Sequence, residues 1–181
     1  DNLLKLDILG HDDPTMIRQL MNYVEKEPEK FPFRTVEEIP LSDPEVLAIF
    51  SGVSSLGVDA AQIHEVVGTT GIPEFGTTLS KDMLREIRPK SVNELIKISG
   101  LSHGTDVWNG NARDYMLGLK KGVGPIPFED LIGCRDDIMV YLIEKGLPAA
   151  DAFKIMESVR KGRGVNPEQE KLMLEHGVPN W

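Results

Sequence analysis

Apolar residues recur at helical spacing along most of this chain, in segments separated by glycine and proline. This periodicity, together with polar residues at segment starts, is typical of amphipathic helices. The pattern predicts helices from Pro14 to about Lys26, at 44–50, 59–66, 79–88, 91–98, 110–121, 135–145 and 149–161, and from 166–168 onward. No internal repeat is present, and the sequence predicts a mainly α domain.

Residues 3–9 (LLKLDIL) form a short apolar run that Gly10 closes. The length and flanks favour a buried strand. Asp7 lies within this run, and a carboxylate is costly to bury unless it is paired or binds a metal. Strand alternation offers a second interpretation, in which Asp7 faces solvent on the same side as Lys5 and Leu9.

Three helix starts carry an acidic or amide residue before a proline, at 12–14, 43–44 and 166–167. Such residues cap free backbone N–H groups, and proline suits the first helical position. Capping by Asp12 or Asp13 therefore competes with metal binding by the trio 11–13. On the first helix we expect one face to carry Met16, Leu20 and Val24.

Four segments interrupt the helical pattern. Residues 25–45 are acidic and contain four prolines, which predicts a surface connection, and 68–77 and 122–127 are too rich in glycine or proline for regular structure. The segment 99–105 (SGLSHGT) predicts a turn between helices. Its hydroxyls and glycines could let it bind a phosphate or a base edge, or it could be an ordinary turn.

The chain is acidic, with a net charge of −9, which by itself argues against nucleic-acid binding. The segment 154–163 reverses this balance, with cations at Lys154, Arg160, Lys161 and Arg163 against the single Glu157. Lys154 and Lys161 are seven residues apart and share a helix face, and Arg135 begins the preceding helix. The cluster could hold a triphosphate, or it could only favour the dipole of a helix C-terminus.

Composition indicates an ordinary globular protein. The lone Cys134 cannot form an internal disulfide, so we expect a reducing, cytoplasmic location, and no apolar run approaches the ~20 residues of a membrane span. The chain starts without methionine, and both ends look cut from something longer.

Five stretches resemble the PolC-type alpha subunit family of bacterial DNA polymerase III, the C family of replicative DNA polymerases. They occur in the same order as in the family and extend over nearly the whole chain, with 25–45 matching least. They are DNLLKLDILGHDDPT at 1–15, GIPEFGT at 71–77, ISGLSHGTDVW at 98–108, GCRDDIMVYL at 133–142 and AFKIMESVRKG at 152–162.

The resemblance implies that residues 1–12 are the last edge of the catalytic palm and that 13–181 belong to the helical fingers. Asp7 would then be the third palm carboxylate, a ligand of the two Mg²⁺ ions that such polymerases use. The family's other two aspartates lie upstream of residue 1. The residues expected to bind nucleotide are Arg135, Lys154, Arg160, Lys161, Ser99, Ser102, His103, Gly104 and Thr105.

The implied partners are primer–template DNA, the incoming deoxynucleoside triphosphate (dNTP), the remaining polymerase domains and, through regions outside this chain, the sliding clamp. We expect no membrane contact, a monomeric fragment and no polymerisation by the fragment alone. A different class of protein, a non-enzymatic helical module that binds nucleic acid or protein through 154–163, is the alternative.

Replacing Asp7 tests the palm assignment. We expect Asp7→Asn in the full-length polymerase to slow single-turnover nucleotide incorporation by several orders of magnitude, at ~1.4 kcal/mol of barrier per tenfold. Primer–template affinity, measured on the same protein, should stay unchanged. A near-normal rate would instead favour the interpretation in which the Asp7 side chain faces solvent.

Overall fold

The computed structural model describes residues 6, 8, 10–104 and 106–180. The predicted strand at 3–9 therefore lies mostly outside the described residues. Within it, Leu6 and Ile8 have no regular secondary structure and expose 73% and 97% of their surface. The chain divides into two compact units, Asp1–Leu41 and Ser42–Trp181.

Among its described residues, the first unit contains one α-helix, α1 (Asp13–Lys26), followed by single 3₁₀ turns at Pro28–Lys30 and Val36–Glu38. The helix starts within one residue of the predicted Pro14, but the expected side-chain cap by Asp12 or Asp13 is wrong. Asp12 has helical backbone angles and its side chain accepts no capping hydrogen bond. Asp13 instead occupies the first turn, where a carboxylate favours the helix dipole.

The apolar face expected on α1 is buried only in part. Val24 is buried as expected, but its buried companion is Met21, while Met16 and Leu20 remain 56% and 59% exposed. Residues three apart lie on one face of a helix, so the pair 21 and 24 defines the buried stripe. Spacing alone could not choose between two overlapping apolar stripes.

The second unit is helical throughout its regular structure, and no strand occurs among the described residues. Asp43 and Asn166 accept backbone hydrogen bonds from the helices they precede, which confirms two predicted helix starts. The helices are α2 (Pro44–Ala48), α3 (Ala60–Ile63), α4 (Thr78–Ile87), α5 (Val92–Ser102), α6 (Arg113–Met116), α7 (Arg135–Glu144), α8 (Ala149–Arg160) and α9 (Pro167–Glu175).

Two hydrophobic clusters form the core of this unit. The larger joins α4 and α5 to the loops around them, with Met83, Leu84 and Ile98 fully buried and Trp108 packed edge-on against Phe128. The smaller lies between α7 and α8 and is covered by α9; its buried members are Leu142, Leu147, Ala152 and Ile155. Met83 and Met156 are core residues with exposures of 0% and 4%, and Met139 is partly buried against the smaller cluster.

The glycine-rich segment 68–77 is irregular, as predicted, but it is held in place by side chains. Buried Thr69 donates from Oγ1 to the Phe75 carbonyl at 2.7 Å, and Ser80 donates from Oγ to the Glu74 carbonyl at 2.7 Å. These side-chain hydrogen bonds satisfy backbone carbonyl groups that a helix or strand would satisfy with backbone N–H groups.

Two predicted boundaries are corrected. The turn predicted at 99–105 is helical as far as Ser102, because α5 continues beyond Ile98. The helix predicted at 110–121 is reduced to α6, which follows a wide turn at 108–112 with non-helical angles at Asn109 and Gly110. Gly118 then takes a φ of +68°, which ends the helical path.

Helix α5 and the loop before α7 approach each other at two glycines. A Cβ on Gly133 would lie 2.7 Å from the Cβ of Lys97, and a Cβ on Gly100 would overlap the Gly133 carbonyl oxygen. Lys97 itself is 7% exposed and donates from Nζ to the carbonyls of Glu129 and Leu131 at 2.5 and 2.6 Å. The glycines are therefore required by space at this crossing.

A methyl group at this crossing should destabilise the fold. We expect Gly100→Ala to lower the free energy of unfolding by roughly 1–3 kcal/mol, because overpacking shifts backbone as well as side chains. The matched control is Gly124→Ala, where the added Cβ meets nothing within 4 Å. Urea unfolding followed by circular dichroism measures both. Equal stability of the two variants would contradict the close approach.

Candidate functional site

Helices α7 and α8 form a hairpin that carries three of the predicted basic residues at one end, with the fourth, Lys154, in the middle of α8. The two helices pack against each other, and the short connection at 145–148 makes them antiparallel. Arg135, the first residue of α7, therefore lies at the same end as Arg160 and Lys161, which finish α8. Arg135, Lys154, Arg160 and Lys161 are all exposed.

Cations line an open groove of about 330 Å³ beside α8. Lys154 and Lys161 both contribute, as their spacing predicted, and Arg163 joins them from the turn that follows the helix. Arg160 does not line this groove. The remaining lining residues, which the sequence reasoning did not assign to a site, are Phe153, Ser158 and Gln169, together with Glu157.

Carboxylates neutralise part of this charge. Glu157 accepts from Arg160 through both oxygens, at 2.6 and 3.0 Å, and lies 3.1 Å from the Lys161 ammonium. Hydrogen bonds from Arg160 and then Lys161 lower the pKa of Glu157 to about 2. Lys154 pairs with Asp151 at 3.1 Å, and 69% of the Lys154 side chain is exposed.

The far wall of the groove depends on the turn between α8 and α9. Ser158 donates from Oγ to the Gly164 carbonyl at 2.7 Å, and Arg163 donates its backbone N–H to the Ser158 carbonyl at 3.0 Å. Gln169 is placed by the capping box it forms with Asn166. The glycines at 162 and 164 and the helix start at 166–167 were the sequence signals for this reversal.

The predicted nucleotide-contacting segment at 99–105 forms a second polar group at the end of α5. The Ser99 carbonyl accepts from Ser102 Oγ at 2.8 Å and bonds His103 Nδ1 at 2.5 Å. The other ring nitrogen of His103 lies 3.1 Å from Glu74 Oε2, so the histidine links α5 to the 68–77 loop. Gly104 has a φ of +117°. Thr105 is outside the described residues.

The crossing of the two glycines places this second group near Arg135. Gly100 faces the Gly133 carbonyl and the Cβ of Cys134, and Arg135 follows directly in the chain. Asp137 accepts the backbone N–H groups of Gly133 and Cys134 at 2.8 and 3.2 Å, which holds the start of α7. The end of α5 and the start of α7 thus lie close together, while Lys154 and Lys161 line the groove beside α8.

The metal prediction rests on Asp7, which lies outside the described residues. Across 6, 8, 10–104 and 106–180, no group of three or more His, Cys, Asp or Glu side chains is arranged to hold a metal ion, and this includes the trio at 11–13.

In the part of the chain that is described, none of the helices combines the length and apolarity needed to cross a bilayer.

The described part of the chain is a helical domain with a groove that Lys154, Lys161 and Arg163 line. A family model, the bacterial DNA polymerase III alpha subunit finger domain, matches residues 13–180. The chain belongs to this family, which confirms the resemblance found in the sequence.

Relatives named DNA polymerase III PolC-type align with the entire chain. Identity over 181 residues is 54% with the protein of Bacillus cereus, 52% with that of Bacillus subtilis and 51% with that of Thermotoga petrophila. The chain spans 12% of the length of each of these relatives.

The ion pairs of Glu157 predict that its carboxyl group titrates at a lower pH than an ordinary glutamate. The folded-state pKa lies below the usual 4.5, so their stabilisation is complete above pH 4.5 and is lost as the pH falls towards about 2. Carboxyl NMR should show a Glu157 midpoint near 2. In Arg160→Gln/Lys161→Gln we expect the midpoint to return towards 4.5, and an ordinary midpoint in the unmodified chain would contradict the pairing.

Proposed function

We propose that this chain is the fingers region of a replicative DNA-directed DNA polymerase and that it positions the incoming dNTP over the template base. The observation that carries the proposal is the open groove beside α8, which Lys154, Lys161 and Arg163 line with positive charge. Membership of the finger-domain family supports it, and so do the names of the PolC-type relatives.

The cationic groove has the charge and exposure that a triphosphate requires. Lys154 and Lys161 approach it from one helix face and Arg163 from the following turn. Phosphate oxygens accept hydrogen bonds from ammonium and guanidinium groups more strongly than neutral acceptors do. Binding of the nucleotide would replace part of the contact that Glu157 makes with Arg160 and Lys161.

Arg135 would approach the same ligand from the start of α7. The end of α5, with Ser99, Ser102 and His103, would border the nucleotide or the template base. We assign His103 a hydrogen-bonding role there, because its ring already bonds a carbonyl and faces a carboxylate.

In the whole polymerase, residues 3–9 would form a strand of the palm, and the boundary with the fingers would fall at residue 12. The exposure of Leu6 and Ile8 supports this, since such side chains normally gain stability from a partner surface. Asp7 would be one ligand of two Mg²⁺ ions. When bound, these ions supply charge neutralisation for nucleotidyl transfer.

The remaining domains would provide the other metal ligands and most of the DNA backbone contacts. Primer–template DNA would approach the fingers on one side only, which leaves the acidic surface of the chain away from the duplex. Contact with the sliding clamp would involve regions outside this chain. The bacterial cytoplasm is the compartment proposed for this activity.

Removal of single cations tests the proposal. In the full-length polymerase, we expect Lys154→Gln and Arg135→Gln each to raise the dNTP concentration for half-maximal incorporation by roughly tenfold to a hundredfold, typical of losing one charged hydrogen-bonding group. The measurement is single-turnover incorporation across a dNTP titration, with primer–template affinity measured alongside.

Lys145→Gln is the matched control, because Lys145 is an exposed lysine at the closed end of the same hairpin, 5.4 Å from the ring centre of Tyr141. It should leave the dNTP dependence unchanged. If all three variants behave alike, the open end of the hairpin does not bind the triphosphate.

A further inference from the structure

Lys97 is a buried cation that the proposed nucleotide contacts do not use. It lies in the middle of α5, within an apolar run, and 7% of its surface is exposed. Burying an ammonium group is costly unless its donors are satisfied. Its Nζ donates to the Glu129 and Leu131 carbonyls, and the Asp137 carboxylate lies 4.0 Å away.

These partners belong to the segment that leads into α7 or to the first turn of α7. The Glu129 and Leu131 carbonyls precede Gly133, whose backbone packs directly on Lys97. Asp137 lies in the first turn of α7 and holds the N–H groups of Gly133 and Cys134. One buried charge therefore contacts both the approach to α7 and the residue that holds its first turn.

We propose that Lys97 is a positioning residue for Arg135, the first residue of α7, and so for the phosphate end of the incoming nucleotide. This rests on the proposed function of Arg135. Lys97 does not contact the nucleotide. It sets where α7 begins relative to the end of α5, and thereby where the Arg135 guanidinium is presented.

A double-mutant cycle in the full-length polymerase tests this coupling. The variants are Lys97→Met, which keeps an unbranched side chain without its charge or donors, Arg135→Gln, and the two combined. Coupled residues give non-additive effects, while distant independent ones add. The readouts are the dNTP concentration for half-maximal single-turnover incorporation, primer–template affinity and the circular dichroism of each protein.

We expect Lys97→Met to raise the half-maximal dNTP concentration by about tenfold with DNA affinity unchanged. In the Arg135→Gln background, Lys97→Met should add nothing further. The control cycle pairs Lys97→Met with Lys154→Gln, whose residue lies on α8 away from the glycine crossing. The increases that these two substitutions cause in the half-maximal dNTP concentration should multiply in the double variant. If Lys97→Met does not fold, Lys97→Gln, which retains two donors, enters the same cycles.

The double-mutant cycles distinguish a positioning role of Lys97 from a purely structural one. Full additivity with Arg135→Gln, or an unchanged dNTP dependence in a folded Lys97 variant, would show that Lys97 is only structural. If Arg135→Gln itself leaves the dNTP dependence unchanged, the proposed role of Arg135 is wrong. The positioning role of Lys97 is then wrong as well, because it depends on Arg135. If Arg135→Gln has a clear effect and the effect of Lys97→Met adds to it in full, only the positioning role of Lys97 is wrong, and the proposed role of Arg135 stands.

Discussion

The buried ammonium of Lys97 is the interaction on which the arrangement of the larger unit depends. A lone charge in an apolar core would cost several kcal/mol, and here two backbone carbonyls and a nearby carboxylate offset that cost. The carbonyls come from the 3₁₀ turn at Phe128–Asp130 and from Leu131 directly after it, and Lys97 joins both to α5. Their position is therefore set by α5, and the glycines at 100 and 133 allow the contact to be this close.

Charge in this molecule is organised locally. The chain has a net charge of −9, yet cations surround one groove and the open end of one hairpin. Glu157 and Asp151 pair with these cations, so the groove holds its own counter-charges in the absence of a polyanion. Exposed pairs of this kind contribute little stability, which leaves the cations free to exchange partners.

Sequence patterns predicted the presence of the helices better than they predicted which helix faces are buried and where each helix ends. Helix starts with a clear capping residue were predicted well, as at Asp43 and Asn166, because a cap is a local hydrogen bond. The buried face of α1 and the end of α5 were predicted less well. Burial of Met21 and continuation of the helix through Gly100 both depend on what packs alongside, and spacing carries no information about that.

The sequence by itself determined a mainly helical chain, the family to which it belongs and the residues that carry positive charge, since periodicity, motifs and composition are properties of the chain alone. Only the tertiary structure decided which of these charges meet. It brought the start of α7 close to Gly100 of α5 and buried Lys97 among carbonyls more than thirty residues away. Those neighbours depend on packing across long loops, and no local pattern encodes such distances.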